Sequence, residues 1–420
     1  MSLRLSYRDE QMLQGAHGPA PQMAMRIVVR MAEVYGAPEL MDIEAAHIDS
    51  TIYIGEAGLE FAERLASLGA KVSVPSTLNV SGLDEEHWMD WPVPEGWAEK
   101  AHRQMVAYRS MGTVQTWTCA PYQTEHRPKF GQQIAWGESN AISFANSVIG
   151  ARTERYPDML DICCAITGRV PKQGLHLEEN RGGEVLVRLD RVPLALQESD
   201  EFYPVLGYLV GDLARDRIPV VIGLQHTPSE DQFKAFSAAV STSGMVAMFH
   251  VVGHTPEAPT LEAALRGREP VESHEVGMED LRAARRQLST DEGGAVDMVL
   301  LGSPHFSLAE FEALVPLLKG RKKADDVRFL VTTSRFVRMA LEHKGLLDEL
   351  ERFGTQLTVD TCPLATPMLP PDVRTLMTNS GKYAYYSPSL LGVRTVFGST
   401  RDCVESAVSG RVTRDGSLWE

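Results

Sequence analysis

The sequence predicts an α/β fold, with parallel sheets flanked by helices. Three observations predict it. Short apolar runs of strand length recur, each followed by a loop and then by a segment of helical periodicity. The last third repeats that order, with strand-like runs at 296–301, 327–331 and 356–359. The loops that end these runs are polar, and open parallel sheets bind ligands beyond the carboxyl ends of their strands.

Taken in order, residues 5–35 read as helical, with Ser6 as a cap and an interruption over 15–21. A polar cluster follows, with His47 and the loop Asp49-Ser50-Thr51. Residues 58–68 have helical spacing, 71–75 read as a strand, and Ser76-Thr77-Leu78-Asn79 as its loop. Residues 82–100 read as a surface excursion and 97–111 as a helix; 114–117 read as a strand with Cys119 just past its end. Residues 141–150 suggest a helix carrying Asn146 and Ser147, and 160–168 form an apolar run holding Cys163 and Cys164. Strands are expected at 184–189 and 219–223, with a helix over 202–214. Ser229 and Gln232 make a capping box for a helix over 228–243, followed by a buried strand at 245–252 and a polar turn at His254. Residues 261–290 are charged and read as a solvent-exposed linker with some helix. A second capping box, Ser307 with Glu310, opens a helix to Leu318, and another helix runs to His343. We place domain boundaries to give a region 1–200 with the Cys119 loop, a middle region and linker 201–290, and a region 291–420 with the Ser303 and Cys362 loops.

A net charge of −15 argues against nucleic acid or an anionic membrane as the main partner. No apolar run approaches the ~20 residues that span a bilayer. The charged N-terminus has no signal-like apolar stretch, and five cysteines, an odd number, do not resemble a secreted disulfide framework. A cytoplasmic protein is expected. There is no P-loop, no dinucleotide glycine fingerprint on a strand-to-helix turn, no CxxC, no HExxH and no GxSxG.

The chemistry concentrates in three loops, which we expect to converge on one site. Thr118-Cys119-Ala120-Pro121-Tyr122 is followed by Trp136-Gly137-Glu138-Ser139-Asn140; the others are Gly302-Ser303-Pro304-His305 and Asp360-Thr361-Cys362-Pro363. Cys119 and Cys362 each follow a β-like run in a loop where nothing apolar calls for a thiol. Such a pair suits iron, an iron–sulfur cluster or zinc, and leaves room for water or substrate. Cys163, Cys164 and Cys403 read instead as buried packing. His47, His254 and His305 sit in apparent polar turns, where a histidine is more often solvated or backbone-bonded than a ligand. Lys382, in Thr378-Asn379-Ser380-Gly381-Lys382, suits a carboxylate or phosphate.

Those motifs, with Phe144-Ala145-Asn146-Ser147, Ala165-Ile166-Thr167-Gly168-Arg169 and His254-Thr255-Pro256-Glu257-Ala258, occur in an order that resembles the large subunit of aconitase X, over residues 8–410. The resemblance implies an aconitase-like fold of two to three domains without the swivelling domain, and a lyase that dehydrates a small hydroxy acid. Family members act on cis-3-hydroxy-L-proline or on 5-phosphomevalonate. By position it implies Cys119 and Cys362 as metal ligands, and Asp49, Ser50, Thr51, Asn79, Glu138, Ser139 and Lys382 as substrate-binding, with Ser139 and Lys382 also catalytic. The family's third cysteine falls at Ser303, a harder and less acidic ligand. An iron–sulfur cluster or a mononuclear iron is therefore expected, as is a separate small subunit carrying the serine base. Three readings follow: a cis-3-hydroxy-L-proline dehydratase, a phosphomevalonate or other hydroxy-acid dehydratase, and a non-catalytic subunit lacking an intact cluster.

Overall fold

Short β-rich segments pair into four sheets in the computed structural model, which describes residues 3–420. Backbone contacts divide the chain into two units. One holds the described residues up to Trp88 together with Val93–Arg181; the other holds Met89–Pro92 and Gly182–Glu420.

In the first unit, Ser6 caps the helix Tyr7–Leu13 through a reciprocal capping box with Asp9. After the Gly15–Gly18 turn, Pro19 at the first helical position starts the helix Pro19–Val34. Strand β1 (Leu40–Asp42) pairs antiparallel with β5 (Arg169–Pro171). Strands β2 (Ala45–Ile48), β3 (Ser76–Leu78) and β4 (Ile134–Trp136) form a parallel sheet in the order β3-β2-β4. The strand expected at 71–75 therefore starts at Ser76, and the expected loop Ser76-Thr77-Leu78 is the strand itself. Ser76-Thr77-Leu78 is buried throughout while Lys71 and Ser73-Val74-Pro75 are not, so burial outweighs the local alternation. The expected strand at 114–117 is reduced to one bridge, Thr77 to Val114. The helix Ser139–Phe144 runs into a π-helical turn, Ala145–Ile149.

In the second unit, β6 (Val185–Arg188), β7 (Pro219–Ile222), β8 (His250–Val251) and β9 (Glu272–Glu275) form a parallel sheet in the order β8-β7-β6-β9. The charged segment 261–290 is not a linker. It supplies β9 as an edge strand, where charge discourages further pairing, and the helix Met278–Gln287. The strand expected over 245–252 shrinks to β8. The remaining strands are β10 (Met298–Leu301), β11 (Arg328–Thr333), β12 (Thr355–Val359), β13 (Thr375–Thr378) and β14 (Arg394–Phe397). They form a five-stranded parallel sheet in the order β12-β11-β10-β13-β14. Strand order reverses between β10 and β13, which makes the loops after those strands the switch point. Val299, Leu301, Phe329 and Val331 from the sheet pack with Phe311, Leu314, Leu341, Leu350 and Phe353 from the flanking helices. Among the described residues no helix is long and apolar enough to cross a membrane.

Candidate active site

Register brings the first group of site residues together. His47 pairs with Thr77 on one side and Trp136 on the other. Side chains alternate along a strand, so two residues further on Asp49, Asn79 and Glu138 fall in one row past the strand ends. Hydrogen bonds confirm the row. The Nδ2 of Asn79 donates to Asp49 Oδ1 and to Glu138 Oε2, the latter at 3.3 Å. Asn79 is fully buried, and its Oδ1 has no hydrogen-bond partner.

Glu138 also caps the helix Ser139–Phe144, accepting from Asn140 N at 3.2 Å, Asn140 Nδ2 at 2.8 Å and Ser139 Oγ at 3.3 Å. Asn140 Nδ2 reaches the carbonyl of Cys119 at 3.0 Å, and Tyr122 Oη donates to Asn140 Oδ1 at 2.8 Å. Asp49, Asn79, Glu138, Ser139 and the Cys119 loop thus form one connected group. Ser50 and Thr51 face inward instead: Thr51 Oγ1 donates to Val80 O at 3.0 Å, and Ser50 Oγ donates to Asp161 Oδ1 at 2.8 Å.

In the second unit, Ser303 and Cys362 follow β10 and β12. His305 Nε2 lies 3.0 Å from Thr361 O, which ties the two loops. Tyr383 Oη stands 3.9 Å from Cys362 Sγ and 3.1 Å from Thr332 Oγ1, and Ser380 Oγ donates to the Ser303 carbonyl. Lys382 is half-buried in the first turn of the helix Gly381–Leu390. At the switch point a cavity of about 600 Å³ is lined by Ser303, Lys234, Glu310, Asn379, Ser380 and Arg401, among others.

Two residues before each loop cysteine, a non-glycine residue has a left-handed backbone: Trp117 at φ 42° and Asp360 at φ 63°. Such strained turns persist only where their surroundings hold them, and they cluster at functional sites. Arg335 grips the carboxylate of Asp360 through Nε at 2.6 Å and through its own backbone N–H at 3.1 Å. Before Ser303, Gly302 has φ 99°, and a Cβ there would stand 2.2 Å from Thr332 O. By contrast Cys163, Cys164 and Cys403 are sealed, and burial pushes their thiols up.

Among the described residues no group of three or more His, Cys, Asp or Glu side chains is placed to hold a metal ion. In donor type alone, thiols such as those of Cys119 and Cys362 suit iron or zinc, and a hydroxyl such as that of Ser303 is a harder donor.

One of the three histidines departs from its expected place. His47 is not in a polar turn; it is fully buried in β2, with Nδ1 2.8 Å from Thr77 Oγ1 and its ring 5.7 Å from Trp136. Burial pulls its pKa down to about 3, so it is neutral. His254 Nε2 meets Leu224 O at 3.2 Å. Asn146 is a structural hub, bonded to Thr153 and to the buried Arg181. Sequence reasoning missed Asp161, Tyr383 and Lys234. Each lies inside a helical run where its neighbours' apolar pattern hides it.

Known proteins resemble this chain over nearly its whole length. Profiles of the aconitase X first, second and third domains match residues 2–179, 183–286 and 296–409. The chain is 48% identical over 419 residues to cis-3-hydroxy-L-proline dehydratase of Pseudomonas aeruginosa, covering 99% of this chain and 72% of that protein. It is 47% identical to the enzyme of that name from Hypocrea jecorina, covering 98% and 69%. With the phosphomevalonate dehydratase large subunit of Methanocaldococcus jannaschii it shares 33% identity over 97% of this chain and all of that one. The crystal structure of Thermococcus kodakaraensis aconitase X in its holo-form superposes with a TM-score of 0.85 at 34% identity, covering 96% of this chain and 100% of that one. The chain belongs to the aconitase X family.

Proposed function

We propose that this chain is the large subunit of a hydro-lyase that removes water from cis-3-hydroxy-L-proline, giving an enamine that tautomerises to 1-pyrroline-2-carboxylate. The observation that carries the choice of substrate is the row Asp49–Asn79–Glu138. It holds two carboxylates bridged by one amide whose oxygen has no donor. Such a row suits the ammonium of an amino acid and is unfavourable for a phosphate dianion. The identities to the two hydroxyproline enzymes support the same reading.

Elimination requires loss of the weakly acidic proton beside the carboxylate and departure of the 3-hydroxyl, a poor leaving group. In this reading Asp49 and Glu138 hold the ring nitrogen, and Ser139 or Lys382 holds the carboxylate, where negative charge builds as the proton leaves. Ser50 and Thr51 fix the backbone of the Asp49 loop. Cys119, Cys362 and Ser303 would hold the iron, as a cluster or a single ion; when bound it supplies Lewis acidity toward the departing hydroxyl. The base is assigned to a separate small subunit. The archaeal relatives, named as large subunits, support that assignment.

The test is turnover of cis-3-hydroxy-L-proline by anaerobically prepared protein, with and without the small subunit, alongside iron and sulfide content. We expect turnover in the complex and iron that is lost in Cys119→Ala and Cys362→Ala. Iron without this turnover would move the search to other hydroxy acids. Protein with neither iron nor turnover would favour the non-catalytic reading.

A further inference from the structure

The loop that carries Asp49 is held from beneath by one buried carboxylate. Asp161, in the helix Leu160–Thr167, is fully buried, and its carboxylate accepts hydrogen bonds from the Asp49 loop and from its own helix. Its Oδ2 accepts the backbone N–H of Asp49 at 2.6 Å and of Ser50 at 3.1 Å; its Oδ1 accepts Ser50 Oγ at 2.8 Å and its own helix's Ile162 N–H at 2.6 Å. Tyr108 Oη donates to Ser50 Oγ at 2.9 Å, and Gln104 Nε2 donates to Ser50 O at 2.9 Å and Ile52 O at 3.1 Å. From the other side the loop is pressed by Gly137. A Cβ at that position would come within 2.6 Å of Asp49 Cβ and 3.2 Å of both Asp49 N and Asp161 Oδ2. The glycine of the Trp136-Gly137-Glu138 motif is thus required by the Asp49–Asp161 contact.

We propose that Asp161 is a positioning residue for the dehydration, setting the Asp49 carboxylate and, through Asn79, the Glu138 carboxylate. This rests on the reading of that row as substrate-binding. Both Asp161 oxygens must accept, since the backbone N–H groups lie on one and the Ser50 hydroxyl and Ile162 N–H on the other. An asparagine keeps the volume but turns an NH₂ toward one set of donors, whichever way it is placed. It conserves shape without conserving function.

The experiment compares wild type, Asp161→Asn, Gly137→Ala and Tyr108→Phe, each iron-loaded and with the small subunit. The readouts are steady-state kinetics on cis-3-hydroxy-L-proline, thermal melting, and hydrogen exchange of the peptide spanning residues 49–52. We expect Asp161→Asn and Gly137→Ala each to lose about 100-fold in kcat/KM, the cost of a misplacement of about 1 Å. Exchange over 49–52 should quicken in both, and Tyr108→Phe should lose less. Asp161→Asn with wild-type kcat/KM and unchanged exchange overturns the proposal, as does a loss matched only by a lower melting temperature with exchange at 49–52 unaltered. If wild type itself does not turn over this substrate, the functional reading fails. The exchange data still decide whether Asp161 holds the loop.

Discussion

His47 shows how a residue's neighbours in sequence mislead about its surroundings. Between Ala46 and Ile48 it looks like one polar residue of a polar cluster, yet parallel pairing on both sides encloses it completely. Its Nε2 has no hydrogen-bond partner, and burial pulls its pKa from 6.5 to about 3. In the unfolded chain it takes up a proton near its ordinary value; in the folded protein it resists doing so. Below pH 6.5 the unfolded state therefore binds more protons, and stability falls with falling pH down to about 3. One such histidine contributes a slope of about 1.4 kcal/mol per pH unit in that window. His47→Gln should flatten the dependence on pH between 4 and 6 of the unfolding free energy from urea titration by about that amount relative to wild type. An unchanged slope would mean that the ring is protonated in the folded state. The cysteines read from sequence as buried packing, Cys163, Cys164 and Cys403, are in contrast fully buried in the fold.

At the scale of the element, what the sequence carries best is punctuation. Ser6, Ser229 and Ser307 form the capping boxes their spacing predicts, because a cap is a contact over three residues. The strands of the first unit were less legible. The start of β3 is set by which residues the neighbouring strand buries, not by local alternation, and β9 is charged because it is an edge. Lys234 was not legible at all, since its role needs two helices. Its Nζ lies 2.8 Å from Asp231 Oδ1 and 3.2 Å from the His305 carbonyl, and it also pairs with Glu310. Ser307 Oγ donates to Asp231 at 2.7 Å, closing the group. Lys234→Met removes the cation and leaves two largely buried carboxylates facing each other. It should cost about 3 kcal/mol in denaturant unfolding, because stranding a partner outweighs the apolar gain. The same variant frees the carbonyl of His305; if Ser303 and Cys362 hold iron as proposed, iron in the refolded complex should be held less tightly against a chelator. A variant as stable as wild type would show that Asp231 and Glu310 take up protons when the lysine is gone.

At the scale of the whole molecule, composition bounds the class of partner but not the choice of substrate. A net charge of −15 excludes little about a small anion, because what the ligand meets is local. Locally, the row past β2, β3 and β4 is acidic. Its residues come from three segments some thirty to ninety positions apart, so their assembly is visible only through strand register. The motifs announced the family because they kept their order; the reason Asp49, Asn79 and Glu138 lie together is strand pairing. That arrangement makes a prediction about selectivity. If the row binds substrate as proposed, cis-3-hydroxy-L-proline brings a ring ammonium to the carboxylates, whereas 5-phosphomevalonate brings a phosphate and no cation. A site whose polar groups are left unpaired by a poor substrate discriminates by about 10⁴-fold. The complex should therefore favour cis-3-hydroxy-L-proline over 5-phosphomevalonate by at least about 100-fold in kcat/KM, allowing for solvent in an open site. Glu138→Gln should narrow that ratio, because it removes one of the charges that repel phosphate. Measuring both substrates with both proteins separates two causes. If the ratio stays fixed while both rates fall, Glu138 serves only to cap its helix and hold Asn140. If the ratio narrows, the carboxylate itself selects the amino acid.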